Sequence, residues 1–477
     1  MIKRFNQVKL SSIGMKNVND LFTLFKVASI LKRSGIIKQK GHSVIEMLFC
    51  FLLIMLENSK SVFAGMVKNH ISNMKSPVND MLNNIFYNWR DLLYRVVKRF
   101  TQLCPALDHE DCTLIFDDTS KVKTGSKTDF LSWFFDHCQN SYFKGYQNIT
   151  ALWSNCKSAI PIDFELKIGK NRTKHSRETS YQKGSHTGQR ARFAKQSKTS
   201  IVISMIKRAN QRRLPYKYIL WDSWYNCSQS FSFVYKKLLP AGKVLISMLK
   251  NGSQKYKYNE QYLNLKQLYR KAGKWQHERT SGIKYKSLTV TLLDASGSRI
   301  IQDRTAIGEM KICFFKYPNV RKWKAIISTD TELAEIEVLK IYLRRWAVEC
   351  VFKEIRQYFG YDQSKSSKYP AMVADLTIRY VFYIMFCYRK VQNENKPMGQ
   401  IVLEFYQELF DMWLTALVEI MFKRYVKDFL EYALELGYSS LMDLRKDIDT
   451  LLEDFFDREV CLEKITESDK HEFRKSA

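Results

Sequence analysis

At Cys112 the chain changes texture, from helical periodicity to short apolar runs that end in acidic residues. Thr113-Leu-Ile-Phe116 is a β-type run followed by Asp117-Asp118-Thr119-Ser120. Two more candidate strands follow, around Tyr146 to Trp153 and Ile160 to Ile168. A helix over Thr199 to Gln211 then leads into the strand Tyr216 to Trp221, which ends at Asp222. Another helix near Ser228 to Leu239 and a strand over Lys243 to Met248 complete the run. Three strands followed by helix–strand alternation predict a mixed α/β sheet.

The flanks differ from this core. Residues 1–110 carry apolar residues at three and four spacings, from Val18 to Leu31, Val44 to Leu56 and Met81 to Phe100. That spacing predicts a helical N-terminal domain, either a DNA-binding domain or a plain bundle. The core then spans 111–250 and 328–395, interrupted over 251–327 by a β-rich insertion with strands at Leu288 to Leu293 and Lys311 to Phe315. A helical C-terminal domain over 396–477 turns acidic late, from Asp443 to Asp457.

Charge narrows the function. Lys plus Arg (77) exceed Asp plus Glu (48), a net charge of +29. Such an excess points to a polyanion, either nucleic acid or an anionic membrane surface. The longest strongly apolar run, Met47 to Leu56, is half a membrane span and reads as a buried helix. No secretory signal is legible at the start, and the ten scattered cysteines form no Cys-x-x-Cys pair. The expectation is a cytoplasmic DNA-binding protein without a membrane. A loop from Lys167 to Lys198 holds ten Lys/Arg and a single acid, Glu178. In it Lys170, Arg172, Lys174, Arg190 and Arg192 are expected to grip phosphates without reading sequence.

Offsets of 3, 7 and 14 residues fall on one helical stripe, so Tyr342, Arg345, Glu349 and Arg356 are predicted to share a face. Arginine forks suit phosphate oxygens, and a carboxylate among them suits a divalent metal. Asp118 and Asp222 end predicted strands, where ligands of α/β sheets gather. Each Asp alone also fits a turn or helix cap, and Glu349 alone fits a surface position. Together the three carboxylates repel unless a cation lies between them. Mg²⁺ is the natural candidate, and two such ions could drive phosphodiester chemistry without a histidine base.

Leu114-Ile-Phe-Asp-Asp118-Thr119, Leu220-Trp-Asp222-Ser-Trp-Tyr225 and the Tyr342/Arg345/Glu349 helix resemble, in order, the three signatures of bacterial DDE transposases. More narrowly they resemble the IS-four group of insertion sequences, with its Y-(2)-R-(3)-E-(6)-K pattern, over about residues 110–390. The resemblance implies an RNase H-like catalytic core, with Asp118, Asp222 and Glu349 as catalytic metal ligands for two Mg²⁺ ions, for which Mn²⁺ can substitute. Asp118 is chosen over Asp117 because it directly precedes Thr119. The family's final Lys is Arg356 here, which keeps the charge but replaces a point ammonium by a planar fork. Lys353 lies on a nearby face. Trp323 stands close to where relatives place a tryptophan that stacks on a flipped base, with Trp275 as a weaker candidate.

The implied function is cut-and-paste transposition: binding terminal inverted repeats, cleaving the ends through a hairpin, and joining them to target DNA as a homodimer. An RNase H-like nuclease without strand transfer, or a non-catalytic DNA-binding descendant, share the same motifs.

Overall fold

The computed structural model describes residues 16–56, 74–105 and 112–437, apart from 138, 156, 296–297, 299 and 394–395. The late acidic stretch, Asp443 to Asp457, lies outside the described residues. Residues 1–406 form one compact unit; a second, 407–477, is described through Gly437.

A twelve-stranded mixed sheet organises the first unit. Its centre is β1 (Thr113–Val122), paired antiparallel with β3 (Ser141–Ser154), which pairs antiparallel with β4 (Ala159–Lys167). On the other side β1 runs parallel to β5 (Tyr218–Trp221), and β5 parallel to β6 (Val244–Leu249). The core order is thus β4-β3-β1-β5-β6, with β2 (Ser132–Asp136) joined to the first residues of β3 as a hairpin. The sequence had no signal for β2. β1 runs on through both aspartates, against the expectation that it stops at Phe116. Asp disfavours strands intrinsically, but β3 pairs all ten residues of β1 and that ladder overrides the local preference.

The region expected as an insertion continues the same sheet. β12 (Lys324–Ser328) pairs antiparallel with β6, then β11 (Ala306–Lys316), β10 (Lys284–Leu293), β7 (Tyr256–Tyr258) and β8 (Gln261–Leu263) follow. The open edge of β6 presents unpaired N–H and C=O groups, and the inserted strands satisfy them.

Thirteen helices stand among the described residues. Five precede the sheet: α1 (Lys16–Leu24), α2 (Val27–Arg33), α3 (Val44–Leu56), α4 (Lys75–Asn83) and α5 (Trp89–Leu103). The periodic run Met81 to Phe100 is broken at Asn88, whose side chain caps α5 by accepting from Asp91 N at 3.0 Å. α6 (His186–Phe193), α7 (Lys198–Gln211) and α8 (Ser228–Phe233) lie among the core strands, and α9 (Leu265–Lys271) among the inserted ones. After β12 come α10 (Glu335–Leu343), a 3₁₀ turn over Arg344–Trp346, α11 (Ala347–Tyr358), α12 (Tyr369–Gln392) and α13 (Met398–Glu435).

α12 packs against α5, α4 and β4, so the N-terminal helices rest on the core. By length and composition α12 could cross a membrane, but 94% of its apolar window is buried inside the protein. A helix apolar all round is what such burial demands. None of the seven cysteines described forms a disulfide.

Candidate active site

The register of β1 decides which acids meet. Side chains alternate across a strand, so Asp117 and Thr119 face one side and Asp118 the other. α11 lies along the first of these sides. Arg345 donates from Nη1 to Asp117 Oδ2 at 2.9 Å and from Nη2 to Glu349 Oε1 at 2.8 Å. Two turns further on, Arg356 donates to Thr119 Oγ1 at 2.5 Å and pairs with Asp362 at 3.3 Å. The 3₁₀ turn tightens the helix at Arg345, yet Arg345, Glu349 and Arg356 still line up against β1. Tyr342 precedes them, buried, with its ring 6.0 Å from the Arg345 guanidinium.

Asp222 follows β5 at the same sheet edge, because Phe116 pairs with Trp221 and the next residues are Asp117 and Asp222. Asp222 caps the 3₁₀ turn Ser223–Tyr225, accepting from Ser223 N at 2.7 Å. Burial first, then the Asp118 charge, push the Asp117 carboxyl up to about 7 against the pull of Arg345, with Asp222 adding to the rise. A carboxylate so placed is short of positive charge.

Asp118, the residue singled out in the sequence, faces away from Arg345. Its Oδ1 accepts from Lys198 Nζ and from the Tyr225 hydroxyl, each at 3.1 Å, and its Oδ2 from Gln147. Applying period two to a longer β1 would have exposed this split; ending the strand at Phe116 concealed it. Among the described residues no three acidic, His or Cys side chains form a ready-made metal cage. The expected trio of Asp118, Asp222 and Glu349 does not form one, and neither does Asp117 with Asp222 and Glu349. Arg345 links Asp117 to Glu349, and Asp222 is near enough to Asp117 for its charge to raise that carboxyl. Their donors are all carboxylate oxygens, which suit a hard divalent cation, and Arg345 bridges two of them as a cation would.

The predicted phosphate grip divides. Lys170, Lys174 and Arg192 are exposed. Arg172 is tied to Glu178, Ser132 and the Gly169 carbonyl. Arg190 is buried, donating to Glu165 Oε1 at 3.1 Å and to the Phe164 carbonyl, so it does not face solvent. It belongs to a network in which Arg90 reaches Asp163 (3.1 Å) and Glu165 (2.5 Å), and Arg208 reaches Asp163 (2.7 Å). Burial pushes the Asp163 carboxyl up, but Arg208, Arg90 and Arg190 outweigh it and hold it below the usual range. The signal for this network was two acids at period two in an otherwise apolar strand.

Trp323 is half-buried, stacked on Tyr269 at 4.7 Å and edge-on to Phe314 at 5.2 Å. Trp275 meets the same tyrosine at 5.9 Å. Trp323 leads into β12, whose Ala325 pairs with Leu249 at the carboxyl end of β6. It therefore sits at the Asp222 edge, two strands across from β5, or roughly 10 Å.

Residues 87–242, about a third of the chain, match the family model described as DDE superfamily endonuclease. The matched span includes Asp117, Asp118 and Asp222 and stops before Glu349. It supports a DDE-type transposase or nuclease, a class that acts on DNA with divalent metal ions. No curated protein matches the chain.

Proposed function

We propose that this chain is a cut-and-paste DNA transposase of the IS-four kind, built on an RNase H-like core. It binds the inverted repeats of its own bacterial element in the cytoplasm and acts as a homodimer on two ends. The observation that carries the reading is the Arg345 fork between Asp117 and Glu349, with Asp222 at the same sheet edge. The strand order β4-β3-β1-β5-β6, with β1 at its centre, supports the RNase H-like core. A net charge of +29 supports the polyanionic substrate.

In this reading Asp117, Asp222 and Glu349 are the ligands of Mg²⁺, and Asp118 positions the strand from behind. Two bound ions would supply an activated oxygen nucleophile and steady the leaving oxygen of a phosphodiester. The chain's own part is to hold the DNA end. Arg345 exchanges one carboxylate for a phosphate oxygen, and Arg356 takes the next phosphate along β1. Tyr342 offers its hydroxyl beside them. Hydrolysis frees a 3′-hydroxyl on one strand; it attacks the phosphodiester of the other strand and expels the flanking DNA's 3′-oxygen. A second water opens the resulting hairpin before the regenerated 3′-hydroxyl attacks target DNA, displacing a target 3′-oxygen.

The test is incubation with Mg²⁺, a pre-cut transposon end and supercoiled target plasmid. Joined products support the transposase. Nicked or linear DNA without joining leaves a nuclease and rejects strand transfer.

A further inference from the structure

The turn that carries Asp222 also carries an exposed tryptophan. Trp221 donates its indole N–H to Asn226 at 2.8 Å, Asn226 donates to the Met248 carbonyl at 2.8 Å, and Tyr225 donates to Asp118. Between these anchors Trp224 is 55% exposed. A large apolar ring held rigidly in solvent beside a candidate active site calls for a partner.

Its neighbours describe that partner. His137, at the tip of the β2–β3 hairpin, stacks on Trp224 at 4.8 Å and 28°. Lys250 Nζ stands 3.4 Å over the Trp224 ring. His137 meets Phe135 at 4.9 Å, and Phe135 meets Tyr142 at 5.0 Å, itself 70% exposed. In the hairpin register Trp133 lies opposite Lys144 and Phe135 opposite Tyr142, so all four share one face. Lys144 Nζ is 5.9 Å from the Trp133 ring, which is 43% exposed. Asp136 falls on the alternate face, where its side chain accepts from Gln139 N. The result is one face of aromatic rings interleaved with lysines and ending at Asp222.

Rings at intervals suit nucleobases, and ammonium groups between them suit phosphates. An apolar protein partner would not match the interleaved charge. We infer that this hairpin face and Trp224 form a track for an unpaired DNA strand, with one base stacked on Trp224 where Lys250 Nζ now sits. An exposed cation–π contact is weaker than base stacking, so the exchange is favourable, and the released Lys250 meets the adjoining phosphate. The inference rests on the DNA-processing reading above and adds where the displaced strand runs.

Anisotropy of a labelled oligothymidylate of about 12 nucleotides, with EDTA present to stop cleavage, tests it on the full chain. Trp224→Ala is expected to weaken single-strand binding about ten-fold, while blunt-duplex binding changes less than about two-fold and Trp224→Tyr binds within about three-fold of wild type. If Trp224→Ala lowers the melting temperature, Lys250→Glu serves instead, with the same ten-fold loss expected. Unchanged oligothymidylate affinity in both variants overturns the track. So does a Trp224→Ala protein that loses self-association in sedimentation while keeping its affinity, since the face is then a protein contact. Trp224-dependent strand binding without any joining of ends upholds the track and rejects the transposase; joining that survives with unchanged affinity rejects the track alone.

Discussion

The Arg345 guanidinium stands 2.9 Å from Asp117, a residue 228 positions earlier, and it holds Glu349 with its other nitrogen. One fork thus ties the helix after the inserted strands to the central strand of the sheet. Both carboxylates are partly buried, so water screens neither of them fully.

The strand alternation separates the roles of the two adjacent aspartates. Asp117→Asn is expected to reduce strand cleavage by about 10³-fold, the scale of removing a charge-stabilising group. Asp118→Asn, on the other side of β1, is expected to cost less than about ten-fold. Single-turnover cleavage of a labelled end measures both, and equal losses would reject the assignment of Asp117.

Arg345→Ala leaves Asp117 close to Asp222 without its counter-charge. In metal-free buffer this variant is expected to melt a few degrees lower, by about 2–4 °C. Millimolar Mg²⁺ is expected to raise the wild-type melting temperature by about 2–4 °C, EDTA to reverse that rise, and Asp117→Asn to abolish it. Scanning calorimetry of the three proteins with and without the ion gives the comparison. An Mg²⁺ shift that persists in Asp117→Asn would place the ion elsewhere.

Lys121 supplies a pH dependence separate from the three carboxylates. It is buried on β1, its ammonium has no hydrogen-bond partner, and it lies 4.1 Å over the Tyr361 ring. Burial lowers its pKa to about 7, against the pull of Asp375. Between about pH 7 and the unfolded value of 10.5 the unfolded chain therefore binds more protons, and the Lys121 contribution to stability rises with pH. Below about 7 that contribution is lost. Lys121→Met is accordingly expected to stabilise most at pH 6, with an advantage that shrinks toward pH 10. Melting curves of both proteins across that range check the sign; a constant difference would mean the ammonium is not desolvated.

Asp163→Ala removes the acid that Arg90, Arg208 and the Tyr94 hydroxyl share. Breaking a buried network on one side leaves uncompensated charge and costs about 3–5 kcal/mol. Urea unfolding measures it, and a loss under about 1 kcal/mol would show that the arginines find water instead.

Much of the core is legible in the sequence. The helix over Val44–Leu56, the strands around Tyr146 to Trp153 and Ile160 to Ile168, and the Tyr216–Trp221 strand ending at Asp222 all follow from periodicity and composition, which are local properties. So does the shared face of Arg345, Glu349 and Arg356, which follows from their spacing. β2 was not legible, because Trp133-Phe-Phe-Asp136 is too short to signal a strand without its partner β3. Arg190 looked like a phosphate grip in a basic loop, and only the fold brought Glu165 against it.

The chain's own order of residues determined the element types, the excess of positive charge and the spacing of Arg345, Glu349 and Arg356. Tertiary structure alone decided that Asp117 rather than Asp118 meets Arg345, that the inserted strands extend the sheet, and that Trp224 meets His137. The physical reason is the same in each case. Which face a strand residue occupies, and which edge a strand satisfies, depend on pairing with segments distant in sequence, and no local pattern encodes that register.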